Sequence, residues 1–138
     1  ELVLIKKIPI LGICVGMQIL GMSSDEGVSK GLNWIDGKVK KILFNDQKPF
    51  LPLPHMGWNN IEIDSSTSLF HEFEKDSLFY FLHSYHFDCD FKINELASVE
   101  YGQKMTCAIK KDNILGVQFH PEKSHKNGIK LLKNFSNL

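Results

Sequence analysis

"IPILGICVGMQILG", residues 8–21, sets a cysteine between two glycines inside an otherwise apolar run. Neither glycine helps a buried strand, because glycine costs backbone entropy and offers no side chain to pack. A core cysteine behaves as a small hydrophobe and calls for no such neighbours. Gly12-Ile13-Cys14-Val15-Gly16 instead has the form of a nucleophile elbow, with cysteine where hydrolases often carry serine. In that device a short strand, here residues 8–13 and buried on both faces, turns sharply into a helix, here residues 15–22. The turn holds the nucleophile in strained backbone. Both glycines are expected to avoid collisions between strand and helix. Cys14 then lies at a helix N-terminus, which favours thiolate. The next backbone amide, that of Val15, points to where an oxyanion forms.

A second stretch, "GVQFHPEKS" (Gly116 to Ser124), supplies what such a cysteine needs. An apolar strand ends at His120, and Pro121 forbids its continuation as a paired strand. Glu122 follows two residues after the histidine, which in extended chain places both side chains on one side. The carboxylate can hold the imidazole in one tautomer. Cys14, His120 and Glu122 therefore read as nucleophile, proton carrier and orienting group.

The rest of the chain sets limits. Its 138 residues, 43% hydrophobic and 23% charged, fit one globular domain, residues 1–138. Sixteen basic and sixteen acidic residues balance, so charge gives no case for nucleic acid or an anionic membrane. Three cysteines, Cys14, Cys89 and Cys107, lack framework spacing and read as reduced thiols, which places the protein in the cytoplasm. No apolar run approaches the roughly 20 residues of a membrane span. The opening lacks a methionine, a hint that residues precede Glu1.

Alternation predicts a strand after Gly37. Three prolines in six residues predict an extended loop from residue 48 to the "PHMGWN" stretch, with a strand at Ile61 and Ile63. "SLFHEF" reads as a helical turn, and "SLFYFLHSYHFDC" as one strand with aromatic faces. Three more strands follow, the last two joined at Asp112-Asn113. A final amphipathic helix carries Ile129, Leu132 and Phe135 on one stripe. The sum is α/β: a mostly parallel sheet flanked by helices, antiparallel in part of its second half.

"GICVGMQ" together with "FHPE" resembles the class I, triad-type glutamine amidotransferases. "PHMGWN", "LHSYHF", "DEGVSKGL", "HPEKS" and "GIKLLKNF" are more narrowly similar to the glutaminase subunits of imidazole glycerol phosphate synthases, in histidine biosynthesis. The likeness covers essentially the whole chain. It implies hydrolysis of L-glutamine to glutamate and ammonia through a Cys14 thioester, with no cofactor and no metal. It also implies that Gln18, Ser84 and Tyr85 bind substrate, the last two mainly through backbone groups. Trp58 and Lys123 would face a (β/α)8-barrel cyclase in a heterodimer. Members of the family begin with a strand, a helix and a glycine-containing loop that supplies a second oxyanion donor. The chain is therefore expected to lack its N-terminal third.

Other readings stay open. Asn33-Trp34 stands where the resemblance calls for a glycine and a smaller residue, which leaves room for a paralogous glutaminase feeding a sugar amidotransferase in surface-polysaccharide synthesis. A cysteine hydrolase, peptidase or γ-glutamyl hydrolase, could use the same triad, although Gln18 and "PHMGWN" weigh against it. A non-catalytic binding module is opposed by the intact triad. His83, His86 and Cys89 could be drawn as zinc ligands, but spacings of three on one strand put successive residues on opposite faces.

Overall fold

The computed structural model describes residues 1–44, 51–64 and 67–138; residues 48–50, the start of the expected proline-rich loop, lie outside them. Strand β1 (Ile10–Ile13) leads through Cys14 into helix α1 (Val15–Gln18). The helix is one turn, not the longer element expected. The carbonyls of Ile19, Leu20 and Gly21 are taken by backbone amides of Leu32 through Ile35, which stops helical pairing. Strand β2 (Ser23–Ser24) then runs parallel to β3 (Gly37–Lys41).

Strand β4 (His55–Ile63) starts directly after Pro54, so "HMGWNN" is strand rather than loop. A 3-10 turn at Ser68–Phe70 matches the expected helical turn. The single aromatic strand expected next is two, β5 (Leu78–His83) and β6 (Tyr85–Cys89), broken at Ser84. A 3-10 turn at Lys92–Asn94 precedes β7 (Glu95–Glu100), β8 (Lys104–Lys111) and β9 (Ile114–Val117). A 3-10 turn at Pro121–Lys123 leads into helix α2 (His125–Ser136).

The nine strands among the described residues form one mixed sheet, with the path β2-β3-β6-β8-β7-β4-β5 and β1 attached through β9 to β8. β8 makes this branching possible. One of its edges pairs with β7, while the other is shared between β6, at Thr106, and β9, at Ala108 to Lys111. Among the described residues only β1–β9 and β2–β3 are parallel. The α/β class stands, yet antiparallel pairing outweighs parallel: short turns force it for β7–β8 and β8–β9, and β3–β6, β6–β8, β4–β5 and β4–β7 add to it. β1 pairs with β9 alone among the described strands. Its Ile10, Leu11 and Ile13 are accordingly half-buried instead of buried on both faces.

Neighbouring residues of β8 serve opposite faces: Ala108 joins a core with Phe79, Phe81, Phe119 and Leu131, and Ile109 joins one with Met17, Leu20 and Phe87. Helix α2 turns Gly128 and Leu131 inward and half-buries Phe135, whereas Ile129 is 70% exposed. The expected stripe is therefore rotated. A Cβ at Gly128 would sit 1.7 Å from the Pro121 carbonyl oxygen, so glycine sets the closest approach and hence the face. Reading the largest apolar side chains as the buried ones overlooked the residue that has none.

Candidate active site

Cys14 occupies the junction of β1 and α1 with φ 54° and ψ −109°, a left-handed backbone that L-residues rarely adopt. Gly12 permits it. A Cβ there would lie 2.4 Å from the Gly16 carbonyl oxygen and 2.8 Å from the Met17 amide nitrogen. Gly16 is different: a Cβ would meet nothing within 4 Å, so the expected steric need at that position is not found. Parallel pairing of Ile13 with Val117 brings the segment after β9 beside the elbow. Three backbone bonds strap it down. Cys14 N–H donates to Val117 O at 2.8 Å, Gln118 N–H to Cys107 O at 2.8 Å, and His120 N–H to Tyr80 O at 2.9 Å.

His120 Nδ1 and Glu122 Oε1 are 2.5 Å apart. The pair forms because the 3-10 turn curls Glu122 back, not because the chain stays extended. An ionised carboxylate only accepts, so the proton is assigned to Nδ1 and Nε2 keeps a lone pair. Ser124 Oγ accepts from the Tyr80 amide and donates to the His120 carbonyl, which fixes the turn from below.

The environment of the sulfur departs from expectation. Burial raises the Cys14 thiol above its ordinary value. The Val15 amide and the Gln118 side chain pull it down, while Glu122 and Glu26 add to the rise. A one-turn helix has too few aligned peptides for its dipole to prevail over burial. Gln118 was missed in the sequence. It is fully buried, with Nε2 3.6 Å from Cys14 Sγ, and the available signal was one polar residue inside the apolar run "ILGVQFH".

Cys14 opens onto a cavity of about 370 Å³ lined by Val15, Gln18, Glu26, Pro54, Leu82, His83, Ser84 and Tyr85. That volume suits a small molecule. Gln18, Ser84 and Tyr85 thus line the cavity onto which Cys14 opens. Their groups are partly committed, however. Gln18 Nε2 donates to Tyr85 O at 3.2 Å and to Gln118 Oε1 at 3.1 Å, and Ser84 O accepts from Ile42 N–H. Gln18 therefore offers the cavity its oxygen. Glu26, also unforeseen, supplies a carboxylate on the same wall.

Behind the cavity, His55 Nδ1 meets His83 Nε2 at 2.9 Å, and His83 Nδ1 meets Tyr85 O at 2.8 Å. His83 is thereby occupied within the fold, and the break at Ser84 separates it from His86 and Cys89. Among the described residues no group of three or more His, Cys, Asp or Glu could hold a metal ion. Cys14, Cys89 and Cys107 are all free thiols.

Trp58 lies on β4, not in a loop, yet is 48% exposed. It packs its ring 6.0 Å from Tyr80 and 5.2 Å from His125, and Lys123 Nζ stands 5.8 Å over the Tyr80 ring. Trp58 and Lys123 therefore share one surface cluster. Asn33 has φ 53°, the conformation for which a glycine is expected. Asparagine tolerates it, so Asn33 serves as the expected glycine would, while the bulkier Trp34 packs partly buried against the core of Met17, Leu20 and Phe87.

The chain belongs to the class I glutamine amidotransferases, whose family model matches residues 2–137. Within that class it is 51% identical over 138 residues to the imidazole glycerol phosphate synthase subunit HisH of Leptospira interrogans, covering 100% of this chain and 68% of that relative. The subunit of the same name from Bdellovibrio bacteriovorus is 50% identical over 132 residues, covering 96% of this chain and 65% of its own. A solved glutamine amidotransferase from Thermotoga maritima shares the fold, with TM-score 0.65 and 21% identity over 98% of this chain and 50% of that one.

Proposed function

We propose that this chain is the glutaminase part of an imidazole glycerol phosphate synthase in histidine biosynthesis. It hydrolyses L-glutamine through Cys14 and passes ammonia to a (β/α)8-barrel cyclase with which it forms a heterodimer in the cytoplasm. The observation that carries the reading is the β1–β9 pairing. It delivers Cys14 and the His120–Glu122 pair at the carboxyl ends of adjacent parallel strands, where α/β sheets bind ligands.

In this reading His120 Nε2 takes the thiol proton as Cys14 Sγ bonds to the γ-carboxamide carbon. The resulting oxyanion meets the Val15 amide. Collapse breaks the C–N bond, the proton returns from His120 to nitrogen, and ammonia leaves a γ-glutamyl thioester. Water then attacks with His120 as base and releases glutamate and the thiol. Glu26 is suited to the substrate ammonium. The full-length protein with its cyclase provides the test. Cys14→Ala should abolish glutamine hydrolysis while the protein stays folded, and Glu122→Gln should slow it without abolishing it, since orientation matters less than the nucleophile. Glutaminase activity retained in Cys14→Ala overturns the reading. A paralogous role in polysaccharide synthesis gains nothing from Asn33, whose backbone serves as glycine's would.

A further inference from the structure

The geometry points to Gln118 as a further catalytic residue: a fully buried amide that keeps a hydrogen-bond donor on the reacting sulfur. The inference rests on the glutaminase reading above. The orientation of the Gln118 amide follows from its neighbours. The Tyr85 carbonyl can only accept, so the group Gln18 turns toward it must be its NH2. The same NH2 lies 3.1 Å from Gln118, which must answer with oxygen. Gln118 Nε2 is thereby left facing Cys14 Sγ at 3.6 Å. Complete burial, with the amide held by Gln18, leaves the side chain little freedom to turn away.

The energetic argument concerns what that donor faces. A neutral thiol sulfur is a weak acceptor, and a buried N–H with only a weak partner is costly to the resting fold. Against a thiolate the same N–H makes a charge-assisted bond. The interaction therefore strengthens as the nucleophile forms, which is the condition for raising turnover rather than substrate affinity. Val15 N–H adds a second donor from the elbow, while the Glu122 and Glu26 carboxylates oppose the negative charge. The Leu82 carbonyl, 3.7 Å from the sulfur, holds the resting proton and does not favour the thiolate. Two donors thus work against three oxygen-bearing groups. Loss of one donor should be felt.

The test uses the full-length protein in complex with its synthase partner, comparing wild type with Gln118→Met and Gln118→Glu. Folding is followed by thermal melting, and inactivation by iodoacetamide is read as loss of glutaminase activity, so that Cys89 and Cys107 do not contribute. Both variants should lose about ten- to a hundred-fold in kcat with little change in KM. The pH at which inactivation accelerates should move upward, further for Gln118→Glu because a carboxylate then faces the sulfur. If Gln118→Met fails to fold, the isosteric Gln118→Glu decides alone. Wild-type kcat with an unmoved inactivation profile overturns the inference, as does a loss confined to KM. Absence of glutaminase activity in the wild-type complex would instead defeat the reading on which it stands.

Discussion

The Cys14 sulfhydryl donates toward the Leu82 carbonyl, and burial raises its thiol above the ordinary value of 9.0, so the resting sulfur carries its proton. A raised thiol pKa means a small thiolate fraction at neutral pH that grows as pH climbs through the folded value. Alkylation of Cys14 by iodoacetamide, followed as loss of glutaminase activity, is therefore expected to keep accelerating beyond pH 9 in the substrate-free protein. A plateau near neutral pH contradicts this. The consequence for chemistry is that the proton must be taken at the moment of attack, the role proposed above for His120 Nε2. The cysteine elbow and the His120–Glu122 pair, the groups proposed as the triad, were legible in the sequence because "GICVG" and "FHPE" are local signals. The charge state of the sulfur was not, since it depends on Gln118, Glu26, Glu122 and Leu82, which only folding brings together.

Strands β4 and β5 are registered so that His55 stands opposite His83, and the pair ties the cavity wall to the core. His83 Nδ1 donates to the Tyr85 carbonyl, so its Nε2 accepts from His55 Nδ1; His55 Nε2 faces the Asn59 amide at 3.2 Å. Each ring carries one proton, and a second would set N–H against N–H. Burial, and for His55 also the neighbouring His83, lowers both from 6.5 to about 4. A depressed histidine contributes stability that is complete above its unfolded value and is lost as pH falls through the folded one. The melting temperature should accordingly fall as pH drops from 6.5 toward 4, and fall less in the double variant His55→Gln/His83→Gln. A wild-type melting temperature that is flat across that range sinks the argument. Element type was largely readable from alternation and turn residues. The errors were tertiary: α1 ends where residues 32–35 claim the Ile19, Leu20 and Gly21 carbonyls that follow it, and α2 faces inward through Gly128 because Pro121 lies against it.

At the scale of the molecule, the exposed cluster of Trp58, Tyr80, Lys123 and His125 is joined to the site through the chain itself. Trp58 lies between His55 and Asn59 on β4, Tyr80 holds the His120 amide, and Lys123 directly follows Glu122. The sequence marked Trp58 and Lys123 for a partner without revealing that they converge on one ring, because cross-strand pairing of Trp58 with Tyr80 is a matter of register. An exposed tryptophan, a tyrosine and a basic residue in one cluster have the composition of an interface hot spot. A partner seated there would cover the turn that carries the His120–Glu122 pair and receive ammonia at its source. With the cyclase proposed above as partner, Trp58→Ala and Lys123→Glu should each uncouple glutamine-dependent synthesis while ammonia-dependent synthesis survives, with losses of about ten-fold or more for a hot-spot residue. Paired assays on the full-length complex, one supplied with glutamine and one with ammonium, separate the outcomes. Normal glutamine-dependent synthesis in both variants, or an equal loss with ammonium, would place the partner on another face.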